Sequence, residues 1–352
     1  MKNSVYINSI SCISAQNTLA ENPEFLAIEN EQFLSAKEPI YKDFISPSLI
    51  RRMSKVVKMS SVAANLALKE AGITNPDAII VGTGMGCTED SEKFLRNVIE
   101  NNEEFLTPTH FIQSTHNTVA GQIALAIQCH AYNFTYVNTA SSLEFSLLDA
   151  KLQLENNEAK NILVGATDEM AKRTMELYQL NQTIKKKEDL PANYQNSTSK
   201  GVVWGEGAAF FVVSSEKTEY SYSELIDIEI INHLKINEIN DFISSFLIKN
   251  NISENDVDVL ILGNSGDSES DIFYHQAKEN FGNSAQLYFK HLSGEFNTAS
   301  GFSFFIANQI LKKQEIPEVT KLNSVKKENI VYVLIYNNLQ GHDHNLMLLK
   351  KV

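Results

Sequence analysis

The chain has 352 residues, 43% apolar and 21% charged, with 30 basic against 43 acidic side chains and a net charge of −13. These are ordinary globular proportions, and they exclude a disordered chain, a collagen-like fibre and a coiled coil. The acidic balance opposes phosphate backbones, so no nucleic-acid partner is expected; the basic clusters Arg51-Arg52 and Lys185-Lys186-Lys187 are predicted to be solvated helix or loop ends.

Along the chain, residues 5–13 predict a first strand. The lone lysine before them and the Asn and Ser within them do not make a secretory leader. The longest apolar runs, at 78–81 and 331–336, are far shorter than the ~18 residues of a membrane span, so none is expected. Cys12, Cys87 and Cys129 lack metal-ligand spacing and are odd in number for a disulfide framework, which points to a reducing cytoplasm and no metal. The turn at 82–86 has neither the Lys-Ser/Thr ending of a phosphate loop nor a G-x-G-x-x-G spacing, so no nucleotide cofactor is expected.

The chain repeats itself. Residues 66–86 (LALKEAGITNPDAIIVGTGMG) and 247–266 (LIKNNISENDVDVLILGNSG) follow one plan: a helix end, an Asp, a short apolar strand and a Gly turn. Asp77 matches Asp258, and Gly82 matches Gly263. Each copy continues with a strand, a small-residue turn and an apolar helix: 134–137, 138–142 and 143–154 in the first, 286–289, 290–300 and 301–311 in the second. Each closes with two strands, 161–165 with 208–214 and 329–336 with 345–349. Continuous Val/Ile/Leu runs alternating with helices predict α/β sheets covered on both faces. The polar stretch 182–199 is expected to be the least ordered.

The turn Asn138-Thr139-Ala140-Ser141-Ser142 lies between a strand and a helix N-terminus, where free N–H groups and the helix dipole stabilise an anion or an oxyanion. A plainer reading makes Ser141 or Ser142 an N-cap, with Glu144 in the first helical turn. The residues alone leave both open.

Six blocks in order carry a family resemblance: Arg51-Arg52-Met53 opening a helix, the Val-Gly-Thr-Gly turn at 81–84, NTVAGQIAL at 117–125, GATDE at 165–169, Gly205-Glu206-Gly207-Ala208, and KHLSGEFNTASG at 290–301. With them the sequence resembles the β-ketoacyl synthases, condensing enzymes of fatty-acid and polyketide synthesis. The resemblance implies a thiolase-like α/β fold, with two duplicated βαβαββ-type halves (1–220 and 221–352) forming one five-layer αβαβα unit.

In that family a cysteine takes an acyl group from a carrier protein, and two histidines help decarboxylate the malonyl donor. Here the cysteine position is Ser141, the first histidine falls at Gly263 or Asn264, the second is Glu295, and the family's acidic residue falls on Phe304. Of that set only Lys290 is retained. Each lost group costs ~10²–10⁴ in rate, and an anionic Glu295 would repel an enolate, so no condensation by the family mechanism is expected.

The resemblance leaves three functional expectations. The first is a non-catalytic partner, similar to chain-length factors, in a heterodimer with an active ketosynthase. Phe111, Gln113 and His116 would then be candidate wall residues near Thr139 and Ser142, and acyl carrier protein would be met directly or through the partner. The second is a Ser141-dependent acyltransferase or thioester hydrolase, with His342 or His344 as base, oriented by Asp343. The third is a homodimer that binds an acyl chain or a carrier protein without reaction.

Overall fold

The computed structural model describes residues 3–20 and 22–352. The chain begins with β1 (Tyr6–Ile13), β2 (Phe33–Leu34), α1 (Pro47–Ile50), α2 (Lys55–Ala71) and β3 (Ala78–Gly82). It continues through α3 (Thr88–Glu100), α4 (Pro108–Gln113), α5 (Thr118–Ile127), β4 (Tyr132–Tyr136) and α6 (Ser142–Glu155). Next come β5 (Asn161–Asp168), α7 (Lys172–Leu180), β6 (Trp204–Gly205) and β7 (Gly207–Ser214). Then follow β8 (Ser223–His233), α8 (Ile239–Lys249), β9 (Val259–Leu262), α9 (Asp271–Lys278) and β10 (Ala285–Tyr288). The last elements are α10 (Lys290–Ser293), α11 (Ser300–Lys313), β11 (Tyr332–Leu339) and β12 (His342–Lys350).

Strands pair in the order β10-β9-β11-β12-β8-β1-β7-β5-β3-β4. The array is two mirrored sheets. In one, β4, β3 and β5 run parallel and β7 and β1 antiparallel; in the other, β10, β9 and β11 run parallel and β12 and β8 antiparallel. They meet only through Tyr6↔Glu224 and Ile7↔Ser223 between β1 and β8.

The period of two along each strand assigns its side chains to separate cores. Ala208, Phe210 and Val212 of β7 face α2 and α5, while Ala209, Phe211 and Val213 face the space between the sheets. On β11, Val333 and Ile335 point into that middle space, and Leu334 and Tyr336 point toward α8 and α9. Helices α6 and α11 fill the middle, burying Leu143, Leu147, Phe302 and Ile306 against both sheets. The result is five layers, αβαβα. Each fully buried Leu, Ile or Phe contributes about 1.5–3 kcal/mol, which is why strands read from the sequence as unbroken apolar runs.

The close fit of α6 on β3 requires Gly82: a Cβ there would lie 2.4 Å from the Ser142 carbonyl oxygen, a backbone atom that cannot step aside.

Three expectations need correction. Arg51 and Arg52 do not open a helix; they are exposed in the turn between α1 and α2. Lys185 is not a solvated residue. Its side chain is buried, and its ammonium donates to Ser199 Oγ at 2.8 Å and to the Gly266 carbonyl at 2.9 Å, while Lys186 beside it stays exposed. The stretch 182–199 is accordingly fastened rather than loose, with Ser197 also donating to the Asp271 carboxylate. A strand the sequence reading did not find, β8, forms the inner edge of the second sheet.

Candidate functional site

The N-termini of both middle-layer helices converge beside the end of β4. Ser141 is 2% exposed, and its Oγ has no hydrogen-bond partner among the described residues. Ser142 Oγ accepts from the Asn138 N–H at 2.9 Å and faces the carbonyls of Thr139 at 2.8 Å and Thr83 at 3.1 Å. Ser141 thus occupies the N-cap position of α6, as the plainer reading has it, but makes no side-chain capping hydrogen bond.

Thr139 has φ +46°, a left-handed conformation that costs a β-branched residue about 1–3 kcal/mol. Its hydroxyl donates to the Asp343 carboxylate, whose other oxygen accepts from Asn232 Nδ2 at 2.6 Å. The C-terminal hairpin thus does reach the turn, but through Asp343 rather than a histidine.

The expected serine–histidine–acid set is not assembled. His344 is buried, with Nδ1 2.8 Å from the Tyr336 hydroxyl and Nε2 3.1 Å from the Gly341 carbonyl, and burial pushes its imidazole down to about 4. His342 is exposed and faces His233 across the β8–β12 pair, with ring centroids 5.7 Å apart.

The other degenerate positions are filled. A Cβ on Gly263 would sit 2.2 Å from Asn337 Oδ1, 2.7 Å from the Tyr274 hydroxyl and 3.1 Å from Lys290 Nζ, so any larger residue there requires these side chains to shift. Asn264 is buried, with an unpartnered Oδ1. Phe304 is fully buried and meets the Phe211 ring edge-on at 4.8 Å.

Glu295 is not the free anion the sequence suggested. Its Oε2 lies 2.7 Å from Lys290 Nζ, both side chains are buried, and Lys290 also donates to the Asn338 carbonyl at 3.2 Å. Burial raises the Glu295 carboxyl above its ordinary value, and the Lys290 charge opposes that rise. The Lys290 ammonium is thus engaged by Glu295 and by the Asn338 carbonyl.

Glu144 is the feature that sequence reasoning undervalued. It is fully buried, neither carboxyl oxygen has a hydrogen-bond partner among the described residues, and the Ser300 hydroxyl at the start of α11 is also unpartnered. Burial pushes this carboxyl up to about 7, with the Asp343 charge adding to the rise and the Lys290 charge opposing it. The signal was present: Glu144 lies on the stripe with Leu147, Lys151 and Leu154 that α6 buries.

The retained motif residues hold the frame. Asp168 accepts from Thr83 Oγ and the Gly84 and Met85 N–H groups through one oxygen, and from Thr298 N–H and Oγ through the other. It thereby ties the turn after β3 to the segment before α11. Glu169 accepts from the Val56 and Glu89 N–H groups at the starts of α2 and α3. Glu206 accepts from Ala36 N, Met170 N and the Lys55 ammonium.

Of the proposed wall residues, Phe111 is 56% exposed and packs on Phe94 at 5.2 Å. Gln113 keeps an unpartnered, buried Oε1, and His116 is exposed and abuts Gly86. Beyond β4 the sheet has no further strand among the described residues, and Tyr132, Phe134 and Val137 at that edge are exposed. No group of three or more His, Cys, Asp and Glu able to hold a metal occurs among the described residues, and no helix there is long and apolar enough to cross a membrane.

A duplicated five-layer αβαβα core with its nucleophile turn between two central helix N-termini defines a thiolase-like condensing-enzyme scaffold. The family described as "Beta-ketoacyl synthase, N-terminal domain" matches residues 31–219, more than half of the sequence, and the chain belongs to the β-ketoacyl synthase family. No curated protein matches the sequence.

Among solved structures, the chain is similar to the ishigamide ketosynthase/chain length factor, with a TM-score of 0.80, 15% identity and 100% of both chains covered. It is equally similar to a β-ketoacyl synthase from Burkholderia phymatum, with the same score, identity and coverage. A ketosynthase (ApeO) in complex with its chain length factor (ApeC) from Xenorhabdus doucetiae gives a TM-score of 0.76 at 14% identity, covering 99% of this chain and 98% of that one. At such identities the likeness is one of fold.

Proposed function

We propose that this chain is a non-catalytic subunit of the chain-length-factor kind, paired with a cysteine-bearing β-ketoacyl synthase in fatty-acid-like or aryl-polyene-like polyketide synthesis. The observation that carries the reading is the state of the family's reacting positions. Ser141 Oγ has no hydrogen-bond partner among the described residues, Gly263 carries no side chain and is crowded by Asn337, Tyr274 and Lys290, and Glu295 is paired with Lys290. Frame-holding residues such as Asp168 and Glu206 are meanwhile kept.

The open edge at β4 supports a partner. Unpaired backbone groups and exposed Tyr132, Phe134 and Val137 favour an added strand and apolar cover. Phe111, Gln113 and His116 then supply this chain's part of the wall around the partner's growing acyl chain. Acyl carrier protein is met directly or through that partner, in the cytoplasm.

The test is a native pull-down of the chain from its own host, with mass spectrometry of what co-purifies. A second ketosynthase bearing a Thr-Ala-Cys turn at equal stoichiometry is expected. Recovery of this chain without any ketosynthase, even at mild salt, refutes the pairing.

A further inference from the structure

A cleft of about 370 Å³ opens between the N-terminal segment 27–31, the loop 190–195 and the end of β10. Neither Ser141, Glu144, Lys290 nor Glu295 lines it. One wall is aromatic. The Tyr288 and His291 rings lie 3.9 Å apart at 31°, and Tyr194 stands 6.0 and 5.8 Å from them.

The polar groups of this cleft share one character. Glu29 and Glu31 are exposed, and neither has a cationic partner among the described residues. No lysine or arginine lines the cleft. His291 is 3% exposed, with Nε2 3.0 Å from the Val319 carbonyl; a carbonyl only accepts, so Nε2 carries the proton. Burial pushes the imidazole down to about 3, which keeps it neutral and leaves a bare lone pair on Nδ1. That atom has no partner among the described residues. The site therefore offers two carboxylates and the half-buried Tyr288 ring, whose inner face is covered by His291, and no lysine or arginine lines it.

We propose that this cleft binds a guanidinium group, free or as an arginine side chain, flat against the face of Tyr288 turned away from His291, with its N–H groups toward Glu29 and Glu31. The choice of cation follows from hydration and shape. A guanidinium is planar and weakly hydrated, so it stacks on rings without a large dehydration cost, whereas an ammonium is a compact and strongly hydrated charge. Stacking on an aromatic face contributes about 0.5–2 kcal/mol, and paired N–H donors make charge-assisted bonds to carboxylates. The volume is at the small end of the ~300–1,000 Å³ typical of ligand pockets, suited to one side-chain-sized molecule.

The test is calorimetric titration of the full chain with n-butylguanidine, n-butylamine and N-acetyl-arginine methylamide at physiological salt. Saturable 1:1 binding of butylguanidine is expected, about fivefold or more tighter than butylamine. It should weaken about tenfold in Tyr288→Leu and in the double variant Glu29→Gln/Glu31→Gln. Both glutamates are exposed, so the double variant reports on binding even if Tyr288→Leu perturbs folding; thermal melts provide the check. A capped arginine that binds tighter than butylguanidine identifies a protein side chain as the source, and equal affinities identify a small molecule. Equal binding of amine and guanidine, undiminished binding in the double variant, or no saturable binding overturns the proposal.

Discussion

Glu144 gives the sharpest quantitative test of how this centre is built. Its carboxyl titrates at about 7 in the folded chain against an ordinary value of 4.5, because burial disfavours the anion. Below pH 4.5 both folded and unfolded chains hold the proton, and the group is neutral in its effect. Between 4.5 and about 7 only the unfolded chain ionises, so stability falls as pH rises; above about 7 both states are ionised and the loss is complete. At 1.36 kcal/mol per pKa unit, the loss amounts to about 3 kcal/mol. The group is fully buried, so solvent screening does not reduce it. The perturbation is Glu144→Gln, which keeps the shape and removes the ionisation. Urea unfolding of both proteins at pH 5, 6, 7 and 8 should show the variant gaining on the parent progressively, by about 2–3 kcal/mol at pH 8 relative to pH 5. Parallel stability curves across that range would refute the assignment and show that Glu144 ionises at its ordinary value.

The Lys290–Glu295 pair predicts a non-additive response. Lys290→Met alone should cost about 3–5 kcal/mol by leaving a buried, uncompensated carboxylate, whereas Lys290→Met with Glu295→Leu should recover most of it, both read by urea unfolding. Gly82→Ala should destabilise by about 3 kcal/mol or more, or prevent folding, because the new methyl strikes the Ser142 backbone. Ser141→Cys should not restore condensation of a malonyl donor in a carrier-protein assay, since no imidazole stands at Gly263, Asn264 or Glu295; turnover would refute that. Phe134→Lys with Val137→Asp should abolish co-purification of the ketosynthase while leaving the melting temperature within a few degrees, as both side chains are exposed.

The fold was legible because buried strands and helices leave periodic apolar signatures. The runs at 78–81, 259–262 and 331–336 became β3, β9 and most of β11. Strand β8 escaped because its sequence, SELIDIEIINH, mixes buried and half-exposed positions without a clean alternation. At the site, the motifs drew attention to Ser141 and Gly263 because motif matching depends only on which residue type occupies a place. The pairing of Glu295 with Lys290 was not legible in that way, although the two are five positions apart. Whether a carboxylate is free or compensated depends on the tight turn through Gly294, whose φ of +76° sets the direction of the chain between them. The buried Lys185 was missed for a similar reason. A basic run has the composition of a solvated loop, and only the folded 266–271 segment supplies the carbonyl that receives its ammonium.

The pattern of what is kept and what is lost separates two kinds of carboxylate in the same motifs. Asp168, Glu169 and Glu206 accept backbone N–H groups from segments far apart in the chain, so each substitution there would orphan several buried donors at about 1–3 kcal/mol apiece. The reacting positions carry no such obligation. Replacing a histidine by Glu295 orphans nothing, because Lys290 already stood within reach, and replacing a cysteine by Ser141 leaves only a small hydroxyl unbonded. Under the proposed function, a chain that keeps its shape without performing the chemistry can drift at the second set and not at the first. The open β4 edge, rather than Ser141, is then where interaction with another protein should be sought.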